Sequence, residues 1–184
     1  MWRNTATEYG WISIALHWLA AVAIVGLFGL GLWMTGLGYG HPWYNRGPAL
    51  HEAIGMLTFA VILFRLGWRL ATVTPAFEAG MPRWERMAAL AAHWLMYALM
   101  LAVVLSGYLI STAGGDPVSV FGWVEVPAVV YGFDRQADFA GWVHYYAAWA
   151  LVLMAAGHTL AALKHHFINR DATLIRMLRG ASHE

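Results

Sequence analysis

The chain has 184 residues, of which 60% are hydrophobic and only 11% charged, and its formal net charge is +1. Soluble domains are about 25% charged, so this composition describes a single-domain integral membrane protein spanning residues 1–184, and no basic cluster points to nucleic acid. The chain contains no cysteine. That excludes disulfides, iron–sulfur clusters, thiolate zinc sites and covalently attached c-type haem, and leaves His, Met and carboxylates as metal ligands.

Four apolar runs are long enough to be transmembrane helices. They cover about 11–35, 49–71, 85–112 and 138–166. The first is too long for the apolar part of a signal peptide and no basic segment precedes it, so it is expected to be retained. Residues 36–48 and 72–84 read as Gly- and Pro-containing links. Residues 113–137 form a longer, fairly apolar loop, expected to fold down as a lid. After Asp171, Leu174, Ile175, Met177 and Leu178 stand among Arg176 and Arg179, which fits either a short interfacial helix or a frayed tail.

Lys and Arg set the orientation. Arg3, Arg65, Arg69, Arg83, Arg86, Lys164, Arg170, Arg176 and Arg179 fall at one end, against Arg46 and Arg135 at the other. Both termini are therefore expected on the cytoplasmic side of a bacterial inner membrane. Arg65 lies within the second span and is expected to snorkel to that face.

The spans also carry imidazoles, and ionisable groups within spans are functional candidates. His144 and His158 lie fourteen residues apart on the fourth span. At about 100° and about 1.5 Å per residue they share one helix face and are separated by roughly 21 Å. They are too distant to hold one metal but suit two metals stacked across the bilayer. His51 opens the second span at the depth of His144. His17 in the first span and His93 in the third both lie at the depth of His158, and depth alone leaves that pairing open. Two His pairs facing one another in a four-helix bundle suit bis-imidazole ligation of two b haems. Gly26, Gly29, Gly31, Gly55 and Gly157 leave room for a flat macrocycle, although small residues also serve plain helix packing. Several Trp at span ends read as an aromatic belt. His41 and His183 lie outside the spans and receive no role.

With these residues in place, the sequence resembles the bacterial cytochrome b561 family, whose fold is shared with the b subunits of hydrogenases and formate dehydrogenases. The matching stretches are "ISIALHWLAA", "ALHEAIGMLTFAVILFRLGWRL", "AAHWLMYALMLAVVLSGYLISTAGG", and the His144–His158 pair followed by "LKHHF" and "NRDATLIRML". The resemblance implies that His17 and His158 ligate the inner haem iron and that His51 and His144 ligate the outer one. It leaves His93 and His165 as candidate contacts for ubiquinone, with Arg69 and Arg86 near the same rim. Its likeness is to stand-alone members, which implies an oxidoreductase that oxidises superoxide at the outer face and reduces ubiquinone, with a protein partner not required. The alternative is a relay subunit between a dehydrogenase or hydrogenase partner and the quinone pool, and a haem-free channel or structural bundle is a third reading. Glu52, Asp116, Glu125, Asp134 and Asp138 make the outer face net acidic, so Arg46 and Arg135 are expected either to guide superoxide locally or to neutralise haem propionates.

Overall fold

A computed structural model describes residues 1–180 of the chain. Four helices account for most of it: α1 (Trp11–Thr35), α2 (Arg46–Ala71), α3 (Arg83–Ser111) and α4 (Gln136–Lys164). All four are long and apolar enough to cross a membrane. The expected spans are met in order, with boundaries shifted by a few residues. Helix α2 begins at Arg46 rather than 49 because Pro48 sits in its first turn, where a missing N–H breaks no ladder bond. Pro82 precedes α3 with extended backbone and cannot extend that helix backwards. Helix α4 continues as a π turn over His165–Asn169 and stops where Arg170 adopts a left-handed conformation, φ 57°.

The helices run up and down. Helix α3 packs along α4, α1 along α2, and α2 against α3, whereas α1 and α4 scarcely touch. Ile62, Tyr97, Met100 and Leu151 form the core where α2, α3 and α4 meet. Large apolar side chains such as Val22, Phe64, Leu153 and Leu160 instead point outward and stay exposed, as lipid-facing positions should. Three buried hydroxyls are satisfied by the helical backbone behind them. Thr58, Ser106 and Thr112 each donate to the carbonyl four residues back, at Ile54, Ala102 and Tyr108. That leaves these three hydroxyls paired in an apolar medium.

Two features depart from an all-helical reading. The 113–137 loop contains an antiparallel hairpin, β1 (Val118–Val120) and β2 (Val124–Val126), in register Val118 to Val126. Val118 and Val120 are buried and β1 packs on α2, so the loop is a lid as expected, but built from strands. The Tyr108 hydroxyl donates to Pro127 O and accepts from Val129 N–H, pinning the lid to α3.

The second departure is the C-terminal segment. The expected interfacial helix is only a 3₁₀ turn over Ile175–Met177 that packs on the protein. The Arg176 guanidinium donates to Glu78, to Ala76 O and to Thr7 O, and Trp18 donates to Met177 O. Arg176 thus ties together the N-terminal segment, the α2–α3 link and the C-terminal segment, which removes it from any membrane-facing stripe. His183 lies outside the described residues.

Candidate cofactor-binding site

Helices α2 and α4 stand diagonally across the bundle, and His51 and His144 meet in the space between them with ring centroids 6.0 Å apart. Some 14 residues further along α4, His158 faces His17 of α1 at 6.3 Å and His93 of α3 at 5.2 Å. Metal–imidazole bonds of about 2.0 Å place two trans nitrogens about 4 Å apart and the ring centroids roughly 6 Å apart. The His51–His144 and His17–His158 pairs match that span, and His93–His158 is shorter. The open seam between α1 and α4 is the one the His17–His158 pair bridges.

Around the outer pair is a cavity of about 400 Å³ bounded by all four helices and by Val118 of the lid. That lies within the ordinary range for ligand pockets. Two glycines admit the imidazoles. A Cβ on Gly31 would lie 3.4 Å from His51 Cε1, and one on Gly107 would lie 3.1 Å from His144 Cε1. Gly55 lines that cavity and has no atom within 4 Å of a would-be Cβ, whereas Gly26, Gly29 and Gly157 are exposed positions outside its lining.

The polar atoms suit a metal-bearing cofactor. His144 Nδ1 donates to Val103 O at 2.9 Å, which leaves the Nε2 lone pair free for iron. His51 Nδ1 is buried and makes no hydrogen bond of good geometry among the described residues. Among the described residues no three His, Asp or Glu converge on one point. Paired imidazoles therefore suit an ion whose remaining ligands come from a macrocycle, and the residues fit haem.

A family model described as "Prokaryotic cytochrome b561" matches residues 8–180. The chain belongs to the prokaryotic cytochrome b561 family. It is accordingly a multi-pass membrane b-type cytochrome that works in electron transfer. It is 46% identical over 179 residues to "Cytochrome b561 homolog 2" of Escherichia coli, covering 97% of this chain and 95% of the relative. It is 27% identical over 177 residues to "Probable superoxide oxidase CybB" of Yersinia pestis, covering 93% and 96%. It is 26% identical over 175 residues to "Cytochrome b561 homolog 1" of Escherichia coli, covering 90% and 94%.

Other candidate residues of this cytochrome b561 chain fall into distinct places. Arg65 does not snorkel: its Nη2 lies 2.9 Å from His17 Nδ1 and its guanidinium stacks over Tyr97. Arg69 lies one turn further on, over Trp94 and Tyr97. Arg86 donates to Met81 O in the α2–α3 link. His93 sits among the imidazoles, whereas His165 is separate, at the basic end. The His165 ring is buried between Asp171 Oδ2 at 2.6 Å and Glu85 Oε2 at 3.6 Å, and Glu85 also pairs with Lys164 at 2.6 Å. Burial pushes the Asp171 carboxyl up, but hydrogen bonds from Thr173 and His165 outweigh it and hold it below the usual carboxylate range. At the lid end Arg135 pairs with Asp138 at 3.5 Å, both well exposed, while Arg46 is exposed with no carboxylate partner among the described residues.

Sequence reasoning missed Gly107, Val103 and Glu85. Gly107 and Val103 act on a ring from another helix, and that facing is not written in either helix. Glu85 had a local signal, an acidic residue at the mouth of a span rich in arginine.

Proposed function

We propose that this chain holds two b haems at different depths and carries electrons from superoxide at the outer face to ubiquinone near the basic end. The observation that supports this most is the pair of imidazole pairs, His51–His144 and His17–His158, each at the spacing of a bis-imidazole site in one bundle. His51 and His144 would hold the outer haem, and His17 and His158 the inner. When bound, the two haems supply reversible one-electron carriers on the two sides of the bilayer. The protein's own share is to hold the imidazoles in the right tautomer, as Val103 does for His144, and to keep the surroundings apolar.

In balance, two superoxide ions give up two electrons and leave two O₂. One ubiquinone takes those electrons with two protons and becomes ubiquinol. Superoxide as the donor is supported by the Yersinia pestis relative's name, and the more similar Escherichia coli relative's name states no substrate. Arg46 supports local guidance of an anion better than Arg135, whose charge is engaged by Asp138. His93, a ring that can donate to a quinone carbonyl and pass it a proton, is the better placed quinone contact. His165 is held between two carboxylates and would act at that site only through them. The basic end, where both terminal segments and the α2–α3 link gather, would face the cytoplasm of a bacterial cell, as the positive-inside rule requires.

A relay role with a protein donor is favoured by one observation. The lid presents Trp123, 86% exposed, with its ring 6.1 Å from that of exposed Phe121, an aromatic surface on which a partner can sit. The discriminating experiment supplies enzymatically generated superoxide and a short-chain ubiquinone to the purified protein. Quinol formation that is lost in His144→Ala and His158→Ala supports the proposal. Quinone that stays oxidised while dithionite reduces the haems supports the relay.

A further inference from the structure

Arg65 and Arg69 stand one turn apart on α2, in the half of the bundle that holds His17, His93 and His158. Both guanidiniums lie over the Tyr97 ring, at 5.4 and 5.7 Å from its centroid. Neither has a carboxylate within ion-pair distance: the ion pairs among the described residues join Arg135–Asp138, Lys164–Glu85, His165–Glu85, His165–Asp171 and Arg176–Glu78. Two cations set among imidazoles in an apolar bundle, with only aromatic faces to offset them, call for an anion.

The hydrogen bond to His17 sharpens this. A guanidinium only donates, so His17 Nδ1 accepts from Arg65, and in a neutral ring the proton then sits on Nε2. An imidazole that binds iron through Nε2 carries its proton on Nδ1 and no longer accepts there. Arg65 then needs another acceptor, and no carboxylate among the described residues pairs with it.

We propose that Arg65 and Arg69 anchor the two propionates of the haem held by His17 and His158, with Arg65 exchanging His17 Nδ1 for a carboxylate oxygen when that ring takes iron. The chemistry matches: a guanidinium fork pairs with a carboxylate through two parallel N–H bonds, and b haem carries two carboxylates. This rests on the bis-imidazole reading of the inner site but not on superoxide or quinone as substrates. It also assigns Arg69 away from the quinone rim.

The test is a mediated redox titration, which needs neither substrate, in a His144→Ala background where one haem remains. Ferric haem carries one more positive charge than ferrous, so a nearby cation disfavours the oxidised form. Arg65→Gln and Arg69→Gln should each lower the midpoint by the equivalent of about a tenfold change in the redox equilibrium, ~59 mV for one electron, with the low-spin bis-imidazole spectrum kept. Arg65→Lys, which keeps the charge, should retain most of the midpoint. An unchanged midpoint in both Gln variants overturns the proposal, as does an Arg65→Lys shift as large as that of Arg65→Gln. If Arg65→Gln binds no haem, Arg69→Gln decides in the same way. A parent protein with no haem spectrum would instead sink the underlying di-haem reading.

Discussion

The Val103 carbonyl of α3 accepts a 2.9 Å hydrogen bond from Nδ1 of His144 on α4. One backbone group thereby fixes which nitrogen of the ring is free, and it does so from the helix against which α4 packs most extensively. A ring held this way is oriented with its Nε2 lone pair free.

That arrangement predicts separable sites. His144→Ala should lose the outer haem and keep the inner, and His158→Ala the reverse, so that haem per protein falls by about half in each. Quantitation as the pyridine haemochrome checks it. Loss of both haems in either variant contradicts two independent sites.

Gly107→Ala should behave as a weaker His144→Ala. The added methyl would lie 3.1 Å from His144 Cε1 and 3.2 Å from Nδ1. The ring must shift by a few tenths of an ångström against the Val103 bond, and overpacking of this kind costs about 1–3 kcal/mol. Gly26→Ala, at an exposed position outside the cavity with nothing within 4 Å of its Cβ, is free of that clash. The readout is outer-haem retention on dilution in detergent, expected to fall in Gly107→Ala.

His93→Ala should retain both haems and slow quinol formation by about 10²-fold or more, the range for loss of a group that transfers protons. The 5.2 Å spacing to His158 makes the alternative concrete. If this variant loses the inner haem while His17→Ala keeps it, His93 is the ligand and the pairing is wrong.

Much of this was legible in the chain. The spans and the depths of His51, His144 and His158 follow from apolar runs and the helical repeat, because lipid leaves so few ways to satisfy a backbone. What depth did not resolve was which of His17 and His93 faces His158 at ligand spacing, since that depends on how α1 and α3 are rotated about their axes. The C-terminal segment misled for a related reason. Leu174, Ile175, Met177 and Leu178 read as a membrane-facing stripe only if Arg176 is free, and it is bound to Glu78 from a link about 100 residues earlier. The hairpin escaped notice because Val118–Val126 is short and shares its apolar character with the flanking loop.

The Asp171–His165 contact predicts an acid-sensitive end of the bundle. Because the folded Asp171 carboxyl titrates below its ordinary value, its contribution to stability is present above the unfolded pKa of about 4 and is lost as pH falls through the lower folded value. Asp171→Asn should lower the thermal midpoint at neutral pH and flatten its decline on acidification. A parallel decline in both proteins would remove Asp171 from the account.

The central claim is that superoxide itself reduces this cytochrome and that ubiquinone reoxidises it. The direct measurement is stopped-flow absorbance of the purified, oxidised protein mixed with superoxide, followed by a second mix with ubiquinone. The account predicts rapid appearance of the reduced b-haem bands, then their quinone-dependent loss, with the first phase slowed in Arg46→Gln. Bands that stay oxidised under superoxide yet reduce with dithionite would contradict it.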